Sequence, residues 1–118
     1  MKPLRRRGAA TAAAVPLALM MFACGQPTER ERIAIAAVDN APGFAPREIV
    51  VDQENDIVLR VTNNTSTEHG FSIEGYRREL VVRPGDTRDV KFKASRGGTF
   101  KIFCQLHPAH QTATLIVQ

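Results

Sequence analysis

The turn signals set the strongest limit on what this chain can fold into. From Ile33 onward, short runs of apolar residues are cut by Gly, Pro, Asn or Asp before a helix could bury a face. Asp56 to Thr62 is the plainest run, with Ile57, Leu59 and Val61 on one side. Thr87 to Ala94 sets Val90, Phe92 and Ala94 against Asp89, Lys91 and Lys93, and the last run sets Ala113, Leu115 and Val117 against Thr112, Thr114 and Ile116. Similar extended stretches are read at 33–38, 48–51, 69–74, 79–82 and 98–103. Between them lie a break at Asp39–Gly43, a loop at Asn63–Thr67 and turns at Arg83-Pro84-Gly85-Asp86 and Ser95-Arg96-Gly97-Gly98, where Pro presets φ and Gly permits positive φ. About eight short strands with close turns predict an all-β chain, an antiparallel two-sheet sandwich.

The N-terminal part reads differently. Met1 to Arg7 is basic, and Ala9 to Ala23 is an apolar run too short to span a bilayer comfortably. Ala23-Cys24-Gly25 resembles a bacterial lipoprotein processing site. Residues 1–23 are therefore expected to be a signal peptide, with Cys24 as the lipidated first residue, 24–32 a tether and 33–118 the domain. The expected location is the periplasm or cell envelope, with membrane association through the lipid on Cys24. Ordinary cleavage after Ala23 and an uncleaved anchor are competing readings, and Arg5-Arg6-Arg7 also permits twin-arginine export.

Charge supports this division. Lys2, Arg5, Arg6 and Arg7 account for the whole formal excess of +4, so the domain itself is neutral. The high pI reports an export signal and gives no reason to expect a nucleic-acid partner.

Chemistry concentrates in Cys104-Gln105-Leu106-His107-Pro108-Ala109-His110, between the last two strands. With His69 upstream, it holds all three histidines and the only cysteine other than Cys24. Strand alternation turns Cys104 inward with Phe100 and Ile102. A thiolate there is desolvated and calls for a cation. The Cys-x-x-His spacing alone is a weak signal, and each histidine alone could be a solvated or core residue. Together, one thiolate with two imidazoles and a weaker fourth ligand suits a single copper ion. A zinc site of one Cys and three His is chemically open. A Cys24–Cys104 disulfide is a further alternative, which leaves the histidines unexplained.

Three segments carry a resemblance: Thr67-Glu68-His69-Gly70-Phe71-Ser72-Ile73, Val82-Arg83-Pro84-Gly85-Asp86-Thr87 and Phe103-Cys104-Gln105-Leu106-His107-Pro108-Ala109-His110. From about Phe44 to Gln118 the chain resembles the cupredoxin family. Its motifs are most similar to the red-copper member nitrosocyanin, and its loop length is similar to that of amicyanin. The resemblance implies a Greek-key β-sandwich with copper held by His69, Cys104 and His107. His110 stands where most blue-copper members carry methionine, and Met1, Met20 and Met21 all lie in the leader. The nitrosocyanin-like glutamate falls at His69 here, which leaves Glu68 as a rim residue or alternative ligand. The expected function is electron transfer to an unnamed redox partner protein through a red or green Cys/His/His/His site. The alternatives are a reactive copper site for a small molecule such as nitric oxide, and copper handling or sequestration.

Overall fold

The computed structural model describes residues 25–118; the leader, its apolar run and Cys24 lie outside them. Nine strands are formed: β1 (Thr28–Val38), β2 (Ala41–Ala45), β3 (Glu48–Val51), β4 (Asp56–Asn63), β5 (His69–Ile73), β6 (Arg77–Val82), β7 (Thr87–Lys93), β8 (Gly98–Phe103) and β9 (Ala113–Val117). Among the described residues there is no helix. One sheet has the order β2-β1-β4-β7 and the other β3-β9-β8-β5-β6. Residues from both sheets bury into one apolar core. The alternation holds: Ile57, Leu59, Val61, Val90, Ile102, Leu115 and Val117 face inward.

Three expectations need correction. First, the sheets are mixed, because β1 pairs with β4 and β3 with β9 in parallel. Alternation identifies the buried face of a strand but carries no information on its direction. Second, the interruption after Val38 is only a two-residue turn. Asp39 and Asn40 adopt φ of 52° and 65°, the left-handed pair that suits a tight hairpin, and Val38 then faces Ala41. This adds β2, whose Pro42 is accommodated because β2 is an edge strand. Third, β1 begins inside the segment read as a tether. Thr28 to Arg32 pair with Asp56 to Arg60. Their charged side chains masked the strand, although Glu29 is tied down by the Asp52 N–H at 2.7 Å and the Asn55 side-chain amide at 2.8 Å.

At one end of the sandwich the two sheets are joined by Asn63, which is fully buried. Its amide nitrogen donates to the carbonyls of Thr67 (2.8 Å) and Val82 (2.9 Å). Its oxygen accepts from the N–H and hydroxyl of Thr65 at 2.9 and 2.7 Å. The side chain thus fixes the loop before β5 and reaches across to β6. Replacing it strands several buried polar groups together. Asn63→Leu is expected to cost about 2–4 kcal/mol in denaturant unfolding, against about 0.5 kcal/mol for Asn64→Ala at the exposed neighbour. Equal small effects in both variants would show that Asn63 does not hold the loop.

Candidate metal centre

β5 and β8 neighbour each other in the second sheet, with Ser72 facing Phe103 and Ile73 facing Ile102. This register carries His69, at the start of β5, alongside Cys104, just past the end of β8. His107 returns to the same point through a turn in which its N–H meets the Cys104 carbonyl at 3.4 Å. The Cys104 Sγ lies 4.0 Å from His69 Nδ1 and 3.4 Å from His107 Nδ1. The donor atoms of His69, Cys104 and His107 all fall within 4.8 Å of one another. Cys104 and His69 are buried, and His107 is exposed.

The sulfur is further supported from the backbone. The Gly70 N–H donates to Cys104 Sγ at 3.2 Å. A Cβ on Gly70 would displace the carboxamide of Gln105, so glycine leaves that carboxamide its place. That carboxamide accepts from the Ser72 hydroxyl at 2.8 Å and donates to the Leu80 carbonyl at 3.0 Å. Ser72 sits at an irregularity in the β5–β6 pairing and also accepts the Glu79 N–H at 3.1 Å. Sequence reasoning missed Gln105, Ser72 and Asn63. Gly70 beside a candidate ligand was the one available signal, because glycine marks a place where other atoms come close.

The fourth candidate is placed differently. His110 is buried, with its ring 5.0 Å from that of His69 and 4.6 Å from Phe44. The next residue, Gln111, ties this part of the loop to the β1–β2 hairpin through the Val38 and Ala41 carbonyls at 2.7 and 3.2 Å. His110 Nδ1 is 2.8 Å from the Gln111 carbonyl. A carbonyl can only accept, so Nδ1 carries the proton and Nε2 carries the lone pair. Nε2 is buried without a hydrogen-bond partner. His110 thus adjoins the three-residue cluster, with its Nε2 lone pair unclaimed. Glu68 is exposed and lines a depression with Arg83, Asp86 and Arg88, apart from the cluster. Cys104 is a free thiol, and Cys24 lies outside the described residues.

The donor chemistry fits a soft metal ion: one thiol sulfur, two Nδ1 atoms aimed at it and an orphaned imidazole lone pair nearby. Thr67 Oγ1 lies 3.1 Å from His69 Nε2 and holds the ring by its outer nitrogen, leaving Nδ1 to face the sulfur. Both buried imidazoles are held below their usual pKa. Desolvation is the main cause for each; His110 and His107 add to it at His69, and His107 adds to it at His110. Neutral imidazoles are the form that binds a metal.

These shifts make the metal-free protein sensitive to acid. The unfolded chain takes up protons at the ordinary imidazole value of about 6.5, while the folded chain resists until lower pH. The contribution is complete above that value and is lost as pH falls through it toward the depressed folded values. The melting temperature of the metal-free protein is therefore expected to drop between about pH 7 and pH 5, with a shallower drop in His69→Gln and in His110→Gln. A flat profile in the parent protein would place both rings in water-like surroundings.

Comparison with known proteins agrees with this geometry. The cupredoxin-like domain family matches residues 11–117. The nitrous-oxide reductase of Cupriavidus necator is 30% identical over 76 residues, covering 62% of this chain and 12% of that protein. Cytochrome c oxidase subunit 2 of Thermus thermophilus is 34% identical over 62 residues, covering 52% of this chain and 45% of the relative. The chain thus spans less than half the length of either. Auracyanin A, a blue copper protein of Chloroflexus aurantiacus, shares the fold with a TM-score of 0.62 at 15% identity, over 77% of this chain and 99% of that one. With the family match covering all nine strands and a His-Cys-His cluster at one end of the sandwich, this chain belongs to the cupredoxin-like family, and copper is its cofactor.

Proposed function

We propose that the chain is an exported copper protein that carries electrons, with a single ion held by His69, Cys104, His107 and His110. The observation that carries this reading is the exposure pattern of the cluster: Cys104 and His69 are buried, and His107 alone reaches the surface. Copper supplies a one-electron couple. The chain supplies donors that are fixed before the metal arrives. Gly70 supports the sulfur, Thr67 orients His69, and the Gln111 contacts hold His110 beside the cluster. A site built this way changes little between oxidation states. Around its mouth, exposed Leu106, Pro108 and Ala109 offer an apolar surface to a redox partner.

His110 offers only Nε2 to the metal. Three imidazoles with one thiolate favour the oxidised ion more than a set containing a thioether does. Copper titration of the domain beginning at Gln26 is expected to give an intense sulfur-to-copper band at one equivalent, green or red in colour and absent in Cys104→Ser. His110→Met is expected to shift the band toward blue and raise the reduction potential. Tight zinc binding with no such band from copper would overturn the electron-transfer reading. An unchanged spectrum and potential in His110→Met would remove His110 from the ligand set.

A second reading is favoured by a hollow beside the same imidazoles. Pro42, Thr67, His69, His107, Ala109 and His110 line a space of about 230 Å3. That volume admits a small molecule such as nitric oxide, as a nitrosocyanin-like reactive site would require. Added azide or nitric oxide would then change the copper spectrum, whereas an inert spectrum leaves electron transfer as the function.

Export brings the chain to the cell envelope, with Cys24 as the lipid-bearing residue. This assignment rests on the basic segment, the apolar run and the small residues around Cys24.

A further inference from the structure

The outer face of the first sheet carries charge that the metal centre does not use. Alternation turns Ile33, Leu59 and Val90 into the core and leaves Arg30, Arg32, Arg60, Lys91 and Lys93 exposed on the opposite side. Arg30, Arg32 and Arg60, with Glu31 and Val58, line a depression of about 130 Å3. A wider one of about 490 Å3 lies between Arg30, Lys91 and Lys93, with Asp56 and Asp89 also on its wall. Asp89 is taken up by Arg60 at 3.1 Å. Arg30 and Arg32 enter no ion pair among the described residues. The domain is neutral in sum, yet this face is basic.

We propose that this face docks on an anionic phospholipid surface. Two observations select that occupant. The first is charge complementarity with phosphate headgroups. The second is where the rest of the chain leads: the apolar run ends at Ala23, Cys24 follows, and Arg30 is already on the docking face. Six residues reach no further than about 20 Å, so any anchoring of the N-terminal segment keeps the start of this face within that distance of the headgroups. Each arginine or lysine held there strengthens binding about fivefold, and the attraction fades beyond a Debye length of about 10 Å.

Docking in this way sets the orientation of the metal centre. β1 runs from the tethered end to the hairpin that binds Gln111, next to His110. Its length puts the mouth on the order of 30 Å from the tether. With the sheet lying flat, the mouth points along the membrane and stays open to a partner in the same plane.

The proposal extends the anchored reading, and the following test separates the two. The full chain is mixed with vesicles of phosphatidylcholine alone or of phosphatidylcholine with phosphatidylglycerol. Acylation of Lys91, Lys93 and Lys101 is then followed by mass spectrometry. Lys101, exposed on β8 of the other sheet, is the control. Lys91 and Lys93 are expected to react several-fold more slowly on the anionic vesicles, to recover at high salt, and to leave Lys101 unchanged. Arg30→Gln with Arg32→Gln is expected to lower the docked-to-free ratio on the order of twentyfold. Equal reactivity on both vesicles overturns the proposal even where the chain is held on both, and leaves the face to an acidic protein. Binding to anionic vesicles alone, with Lys91 and Lys93 protected there, upholds the face and removes the lipid anchor.

Discussion

The contact between the Gly70 N–H and Cys104 Sγ, at 3.2 Å, joins the two stretches of chain that make the metal centre. It forms only when β5 and β8 meet at the observed height, with Ser72 facing Phe103. The absence of a side chain at position 70 leaves the space above it to the Gln105 carboxamide. Gln105 in turn bonds to Ser72 and to the Leu80 carbonyl, so the residue after the cysteine locks β5 and β6 together. A buried sulfur would otherwise sit in apolar surroundings without a donor, an unfavourable arrangement. The scaffold therefore presents the sulfur partly solvated by backbone before any metal is bound.

A second tie governs the opposite wall of the site. Asn63 links β4 to β6 and fixes the loop that delivers His69. Gln111 links the Cys104–His110 loop to the β1–β2 hairpin. The two sheets thus supply one clamp each, and the imidazoles lie between them. This explains why His110 is buried although its neighbours Pro108 and Ala109 are exposed. The loop is held at both ends, and only its middle, with His107, projects to the surface.

The faces of the strands were legible in the sequence, because alternation survives wherever one side is buried. β4, β7, β8 and β9 follow it. Direction and pairing were not legible, since both parallel pairs join strands that are distant in sequence. β5 is buried at every position, which erases the alternation that would reveal a face. The cluster of His69, Cys104 and His107 was readable because its residue types are scarce in this chain. The groups that hold it were not. Asn63 looked like a loop residue and Gln105 like a loop filler, and only their partners on other strands give them a role.

Charge shows the same gap between composition and placement. A neutral domain by residue count gives no hint of a polar outline, yet period-two alternation forces charges on neighbouring strands onto a common side. Parallel pairing of β1 with β4 sets Arg32 beside Arg60 and Arg30 beside Val58. Antiparallel pairing of β4 with β7 then sets Lys91 against Val58 and Asp89 against Arg60. Like charges meet across one seam and opposite charges across the other. The strand that begins in the expected tether is thus the element that makes this face basic, and the same strand ends at the hairpin supporting His110. The basic outer face and the support of the metal centre both follow from the placement of this one strand.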